Sequence, residues 1–161
     1  MSHLNQWKLR NILQELFVDP DSDLITKKVT AFLLKHPIPM TDFPLIKGTY
    51  SRTIFFRSDN GFEAMAARWS RGTTSPIHGH PYYTLYYVVN GRLGIDNYKK
   101  AADRIEKTTS EILSRDQFLS FTGKPGTFDN HIHKVEAIEE TLSIHISSND
   151  ATKGEVFNYA G

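Results

Sequence analysis

Two histidines, His78 and His80, stand one residue apart in the stretch SPIHGH. Residues i and i+2 of a β-strand share a face, so both imidazoles can point to one side while Gly79 points to the other. Imidazole nitrogens are good ligands for divalent iron, zinc, nickel and copper. The spacing therefore predicts two ligands of a transition-metal site, and the alternative is a surface loop that is merely rich in histidine.

A third ligand has to come from another segment of the chain. The sequence has no cysteine, which excludes disulfides, thiolate metal ligands and thiol nucleophiles. The candidates are His131, His133 and His145, and since His131 and His133 share the same strand alternation, only one of that pair is needed. Three neutral imidazoles would leave coordination positions open for a substrate.

Short strands and turns around these histidines predict the framework that positions them. From Tyr50 onward, strand-like segments alternate with turn residues, which is typical of a β-sandwich or barrel. Asp59-Asn60-Gly61 predicts a hairpin, and Asn90-Gly91 predicts a second tight turn. Further strands are expected at KTTSEIL, FLSF, HKVEAI and TLSIHIS.

The first forty residues are expected to be helical. In HLNQWKLRNILQELF the apolar residues recur at helical spacing, and DPDSD then offers Asp21, Ser22 or Asp23 as the cap of a second helix. Prolines at 37, 39 and 44 end that helix. Both helices are expected to cover one end of a sheet. The prediction is a single domain over 1–161, with a helical N-terminal cap at 1–45 and a β-barrel at 46–161.

The bulk composition argues against several kinds of partner. The formal charge is +1 and no long basic run is present, so we predict no nucleic acid partner. The longest apolar stretches fall far short of a membrane span and the first residues lack the apolar core of a secretion signal, so we expect no membrane association and a cytoplasmic protein. The oligomeric state is left open.

The stretch from Gly72 to Gly91, GTTSPIHGHPYYTLYYVVNG, resembles the first signature of the cupin barrels, in which a glycine precedes HxH and another closes the turn. The segment from Tyr50 to His80 is similar to the type I cysteine dioxygenases, thiol dioxygenases of the cupin superfamily. It shares their Tyr-x-Arg opening, Asn-Gly turn, tryptophan and SPIHGH ending, and HIHKVEAIEETLSIHISS resembles their second signature. The implied fold is mainly β, a cupin (RmlC-like jelly-roll) β-barrel with N-terminal α-helices.

The resemblance implies a role for each matching residue. His78, His80 and His133 would bind iron(II), which leaves His131 as an exposed neighbour of the ligands. Arg52 would grip a substrate carboxylate, a task that suits a permanently charged, bidentate guanidinium.

Three further residues have implied roles around the metal. Tyr50, on the same strand face as Arg52, is expected to orient it. His145 and Ser143 match part of a Ser–His–Tyr relay, in which an imidazole held by a hydroxyl orients a bound group or assists proton movement.

Two positions depart from the family pattern. Thr84 stands where many cupins have an acidic ligand and where animal cysteine dioxygenases have a crosslinking cysteine, so no cysteine–tyrosine cofactor can form. Ser147 stands at the position of the relay tyrosine. Tyr82 or Tyr86, which follow the alternation of His78 and His80, are candidates to supply the missing phenol. Tyr82 is favoured as a substrate contact because it comes first after the His80-Pro81 corner.

The implied activity is that of an iron(II)-dependent thiol dioxygenase. Its substrates would be O2 and a small thiol carboxylic acid such as cysteine, and its product the sulfinic acid. Two alternatives remain open at this point: a three-histidine cupin metalloenzyme that acts on a non-thiol substrate, and a non-catalytic cupin that binds a metal or a small acid.

Overall fold

A computed structural model describes residues 3–159 of the chain, with two helices followed by ten strands within that range. None of these helices has the length and apolar character needed to cross a membrane. Short 3-10 turns occur at Met40–Asp42 and Ala151–Lys153. The elements are α1 (Leu4–Leu16), α2 (Ser22–Lys35), β1 (Tyr50–Arg57), β2 (Glu63–Trp69), β3 (Ile77–His80), β4 (Tyr83–Asn90), β5 (Arg92–Ala101), β6 (Arg104–Ser114), β7 (Phe118–Thr122), β8 (Asn130–Ala137), β9 (Thr141–Ser147) and β10 (Val156–Phe157).

The strands form two antiparallel five-stranded sheets, with the orders β1-β2-β9-β4-β7 and β10-β3-β8-β5-β6. The sheets are separate hydrogen-bonded ladders that pack face to face as a jelly roll, rather than one ladder closed into a barrel. The predicted mainly β, jelly-roll fold with N-terminal helices is thus confirmed.

The helices cover the outer face of the first sheet, not one end of it as expected. Leu13 of α1 and Val29 of α2 are fully buried in one cluster with Leu85 and Tyr87 of β4. The opposite face of β4, with Tyr86 and Val88, packs between the two sheets. Because both of its faces are covered, β4 is buried along almost its whole length.

The start of α2 is fixed by one of the three predicted caps. The Asp21 carboxylate accepts a hydrogen bond from the backbone N–H of Leu24 at 2.9 Å, which satisfies one of the donors left free at a helix N-terminus. The helix ends at Lys35, just ahead of Pro37.

The two predicted turns have different roles. Asp59-Asn60-Gly61 closes the hairpin of β1 and β2, as predicted. Asn90-Gly91 is also a tight turn, but it carries the chain from β4 in one sheet to β5 in the other. This transfer places β3, β5 and β8 opposite the β2, β4 and β9 face.

The histidine-bearing strands β3 and β8 are direct neighbours. His78 pairs with His133, and His80 pairs with Asn130, so β8 contains a bulge between the two pairs. His131 lies in this bulge with a φ of 45°, in the left-handed region that few non-glycine residues adopt. Because of the bulge, His133 lies opposite His78 while Asn130 lies opposite His80.

Candidate metal centre and cavity

Three histidines converge between the sheets. One ring nitrogen from each of His78, His80 and His133 lies within 4.8 Å of the others, and within residues 3–159 no other group of histidine and carboxylate side chains is arranged in this way. The ring centroids of His80 and His133 are 4.4 Å apart, and those of His78 and His133 are 4.8 Å apart. A metal with bonds of about 2.0–2.1 Å to nitrogen would draw these atoms closer together.

The hydrogen bonds of each ring leave the same nitrogen free. His78 donates its Nδ1–H to the carbonyl of Pro76 at 2.8 Å, and His80 donates its Nδ1–H to the carbonyl of His131 at 2.8 Å. Nδ1 of His133 is bonded to the hydroxyl of Tyr86 at 2.8 Å. Nε2 of His78 and of His80 therefore keeps its lone pair for a ligand, and Nε2 of His133 does so when its Nδ1–H donates to Tyr86. Outer partners orient metal-binding histidines in this way.

Burial keeps these imidazoles neutral. It lowers the pKa of His78, and it lowers the pKa values of His80 and His133 well below the ordinary value of 6.5. The charge of Arg52 adds to the lowering at His78. Because only a neutral imidazole offers its lone pair, the donor set fits a transition-metal ion near neutral pH.

A cavity of about 230 Å³ opens onto the three histidines. Sites for drug-sized ligands run from about 300 to 1,000 Å³, so this space suits a smaller molecule. No aspartate or glutamate of residues 3–159 lines it, whereas Arg52 does. One wall of the cavity is formed by residues near the end of the chain, Ala151, Thr152, Gly154 and Val156. No sequence motif had indicated these residues. A small anion is the ligand that this electrostatic setting favours.

Arg52 and Tyr50, both predicted from the sequence, line this cavity. The Nε–H of Arg52 donates to the sulfur of Met65 at 3.0 Å. This contact fixes the side chain at Nε and does not use the two terminal nitrogens of the guanidinium. Tyr50 stacks on Trp69, with ring centroids 4.3 Å apart, so the indole holds its ring in place. The expected role of Tyr50 in orienting Arg52 stays a prediction.

Ser143 and His145 form the predicted pair, and Trp69 extends it. The indole N–H of Trp69 donates to Ser143 Oγ at 2.9 Å, and Ser143 Oγ lies 2.7 Å from His145 Nε2. Since the indole can only donate, the one proton of the buried serine hydroxyl is satisfied by donation to His145 Nε2. His145 lines the cavity, and burial lowers its pKa to about 3. The neutral ring therefore carries its proton on Nδ1.

Thr84 and Ser147, the two departures from the family pattern, face each other across β4 and β9 and both line the cavity. Both are buried. Thr84 Oγ1 has no hydrogen-bond partner within residues 3–159. A buried polar atom of this kind is normally satisfied, so Thr84 is an exception in the wall of the cavity.

The two tyrosines proposed to replace the missing phenol do not line the cavity. Tyr82 precedes β4 at the Pro81 corner and is 37 % exposed. Tyr86 is buried, and its hydroxyl forms a hydrogen bond with Nδ1 of His133. Tyr50 is the tyrosine that lines the cavity among the described residues.

His131 is not the exposed neighbour that we expected. It is half-buried, its ring stacks on Phe121 with centroids 3.3 Å apart, and its Nε2 lies 2.6 Å from the Tyr86 hydroxyl. Tyr86 and Trp69 are thus the contacts that sequence reasoning missed. The inward alternation of β4 indicated Tyr86, but only the register between β4, β8 and β9 shows which histidines the two aromatic residues reach.

No protein-family model matches the sequence, and no curated protein matches it either. Solved structures do match the fold. A cupin superfamily protein from Desulfitobacterium hafniense is 13% identical, with a TM-score of 0.54 over 69% of this chain and 87% of that chain. The cupin domain of Cnp3 from Schizosaccharomyces pombe is 9% identical, with a TM-score of 0.52 over 72% of this chain and 75% of that one.

KdgF from a Halomonas species is 17% identical, with a TM-score of 0.50 over 68% of this chain and 88% of that chain. At these identities the likeness concerns the backbone fold. The chain therefore has the cupin fold, as the SPIHGH region led us to expect, and its chemistry has to be argued from its own residues.

Proposed function

We propose that this protein is an iron(II)-dependent thiol dioxygenase that oxidises a small thiol carboxylic acid, such as cysteine, to its sulfinic acid. The observation that carries the proposal is the combination of a cluster of three neutral histidines and a guanidinium in one small cavity. Three neutral ligands leave the charge of a divalent ion uncompensated, so a thiolate is a fitting additional ligand.

The three histidines and Arg52 have distinct parts in this reaction. His78, His80 and His133 hold the ion, and Arg52 binds the substrate carboxylate through its terminal nitrogens. Binding at both ends fixes the thiol sulfur beside the metal, which supplies the proximity that a reaction between two small molecules requires.

In this proposal His145 acts as a hydrogen-bond donor to the reacting groups. Ser143 and Trp69 fix its tautomer, so that Nδ1 carries the proton. A donor held in advance stabilises negative charge that develops on oxygen or sulfur during the reaction.

A bound iron(II) ion supplies Lewis acidity, which favours the thiolate, and the one-electron chemistry that O2 requires. In the overall reaction both atoms of O2 form bonds to sulfur, and the thiol proton is retained by the acid product or released to water. Sulfur loses four electrons and O2 gains four. No further reductant is needed.

Oxygen uptake with a panel of thiols tests the proposal. We expect the iron-loaded protein to consume O2 with cysteine or 3-mercaptopropionate, both of which carry a carboxylate, and to turn over cysteamine at least about ten-fold less efficiently. Iron content is measured on the same sample, and mass spectrometry identifies the sulfinate. Full iron occupancy without oxygen uptake for any of the three thiols would refute the proposal.

Replacement of Arg52 tests the carboxylate contact. We expect Arg52→Ala to lower kcat/KM for the thiol acids by about 10–100-fold, because a charge-assisted hydrogen bond contributes roughly 1.5–3 kcal/mol, and to leave cysteamine turnover nearly unchanged. Arg52→Lys keeps the charge but loses the fork of donors, so it should recover part of the loss. Arg104→Ala, at an arginine on the surface of β6, is the matched control. An equal loss for acids and cysteamine would contradict this role.

The second candidate function is a three-histidine metalloenzyme with a non-thiol substrate. It is favoured by Ser147, since neither Tyr82 nor Tyr86 places a phenol in the cavity. The serine in place of a tyrosine in the cavity wall would then indicate a reaction different from thiol oxidation. Iron-dependent oxygen uptake with a small non-thiol acid, and none with thiols, is the result that would select this function.

A further inference from the structure

The hydroxyl of Tyr86 lies between two imidazoles. Its oxygen is 2.8 Å from Nδ1 of His133 and 2.6 Å from Nε2 of His131. The tyrosine is 2% exposed, and burial raises its pKa well above 10, so the phenol keeps its proton. A neutral phenol between two ring nitrogens can donate only one hydrogen bond and must accept the other.

Metal binding decides which group donates and which accepts in the hydrogen bonds that join His133, Tyr86 and His131. When His133 binds a metal ion through Nε2, the proton of its neutral ring is on Nδ1, and Nδ1–H donates to the Tyr86 oxygen. The phenolic proton then has to be donated to Nε2 of His131. The three groups form one ordered series of hydrogen bonds that runs from the ligand outward to Nε2 of His131.

His131 also contacts a second ligand, through its backbone. Its carbonyl oxygen accepts the Nδ1–H of His80 at 2.8 Å. The left-handed φ of 45° in the β8 bulge turns the carbonyl toward His80 while the ring faces Tyr86 and stacks on Phe121. A non-glycine residue holds this conformation at an energetic cost, and such residues concentrate at functional sites.

We propose that Tyr86 and His131 are positioning residues that orient His133 and strengthen it as a metal ligand, while the His131 carbonyl orients His80. The inference rests on the proposed function only in requiring a metal at the three histidines. The polarised Nδ1–H bond makes the His133 ring more electron-rich at Nε2, and the fixed ring orientation lowers the entropy that is lost on metal binding. The Ser143–His145 pair makes different hydrogen bonds, although His145 on β9 is the register partner of Tyr86 and their ring centroids are 5.8 Å apart.

Metal affinity tests the inference without any substrate. Losing an outer partner of a metal ligand typically weakens binding by about 10–100-fold, and we expect that loss for Co2+ in Tyr86→Phe, measured by competition with a chelator. Tyr87→Phe is the matched control, because Tyr87 is the next residue of β4 and its hydroxyl donates to Asp116 on the opposite face at 2.8 Å. The control should bind Co2+ as the unsubstituted protein does.

The second variant, His131→Asn, removes the imidazole but keeps the backbone carbonyl, because asparagine tolerates a left-handed φ. It should weaken Co2+ binding less than Tyr86→Phe, since the phenol still accepts from His133. The double variant should match Tyr86→Phe, because both changes act along one chain. If the losses of Co2+ affinity in the two single variants added up fully in the double variant, the two residues would act independently, which would contradict the ordered series of hydrogen bonds.

The proton NMR spectrum of the Co2+ protein supplies a readout that a loss of packing alone would not change. The exchangeable Nδ1–H signal of His133 is shifted by the paramagnetic ion, and in Tyr86→Phe it should exchange with D2O much faster than the signals of the other ligands. Unchanged Co2+ affinity and unchanged exchange in Tyr86→Phe would overturn the inference. Failure of the unsubstituted protein to bind Co2+ or Fe2+ would instead refute the proposed function.

Discussion

His133→Ala is expected to abolish iron loading at micromolar Fe2+. His133 is 2% exposed and its ring is in edge contact with both His78 and His80. Without it, two imidazoles remain, and the affinity should fall by more than the roughly 100-fold that the loss of an outer partner can cause. Metal analysis after equilibrium dialysis gives the occupancy, and oxygen uptake should fall with it to the background rate.

Folding has to be separated from ligation in this experiment, because His133 is buried. His133→Gln keeps more of the side-chain volume and should show the same loss of iron, with a thermal unfolding curve close to that of the metal-free parent protein. His36→Ala, at the C-terminal end of α2, is the control for removal of a histidine outside the cavity. If His133→Ala kept its iron while His131→Asn lost it, the third ligand would be His131.

The sequence predicts the local parts of this site well. The i and i+2 spacing of His78 and His80 needs only one strand to bring both rings to one face, and Asp59-Asn60-Gly61 needs only its own backbone preferences to close a hairpin. The cap at Asp21 is equally local. Each of these features depends on residues within a few positions of one another, so no knowledge of the sheet pairing is required.

The remaining features depend on which strands pair, and the sequence does not contain that information in a local form. The bulge in β8 that turns His131 toward Tyr86 and His80 arises from the register between β3 and β8. Trp69 reaches Ser143 because β2 pairs with β9, far away in sequence. Tyr82 does not line the cavity, although the His80-Pro81 corner before it was visible in the sequence, because the direction in which that corner turns the chain depends on the two sheets that it joins.

Gly79→Ala is expected to weaken both the fold and the metal site. Gly79 is buried on the face of β3 opposite to His78 and His80, where a Cβ would lie 2.5 Å from the carbonyl oxygen of Phe128 and 2.6 Å from Cα of Asp129. Both of these atoms belong to the backbone, so neither can move away cheaply. Overpacking of this kind costs about 1–3 kcal/mol, which urea unfolding of the metal-free protein would measure.

The same substitution should reduce metal affinity, because relief of the clash has to move β3 relative to the neighbouring loop. The two ligands on β3 flank Gly79, so any shift of its backbone changes their distance to His133. We expect Co2+ to bind at least about ten-fold more weakly, comparable to the loss of an outer partner. Gly94→Ala in β5 is the matched control, since its Cβ would make only ordinary van der Waals contacts, at 3.7 Å with Ile138 Cδ1 and at 3.8 Å with Ile138 Cγ1 and the Glu136 carbonyl oxygen. Stability and affinity equal to those of Gly94→Ala would contradict the view that the glycine of SPIHGH holds the two histidines in place.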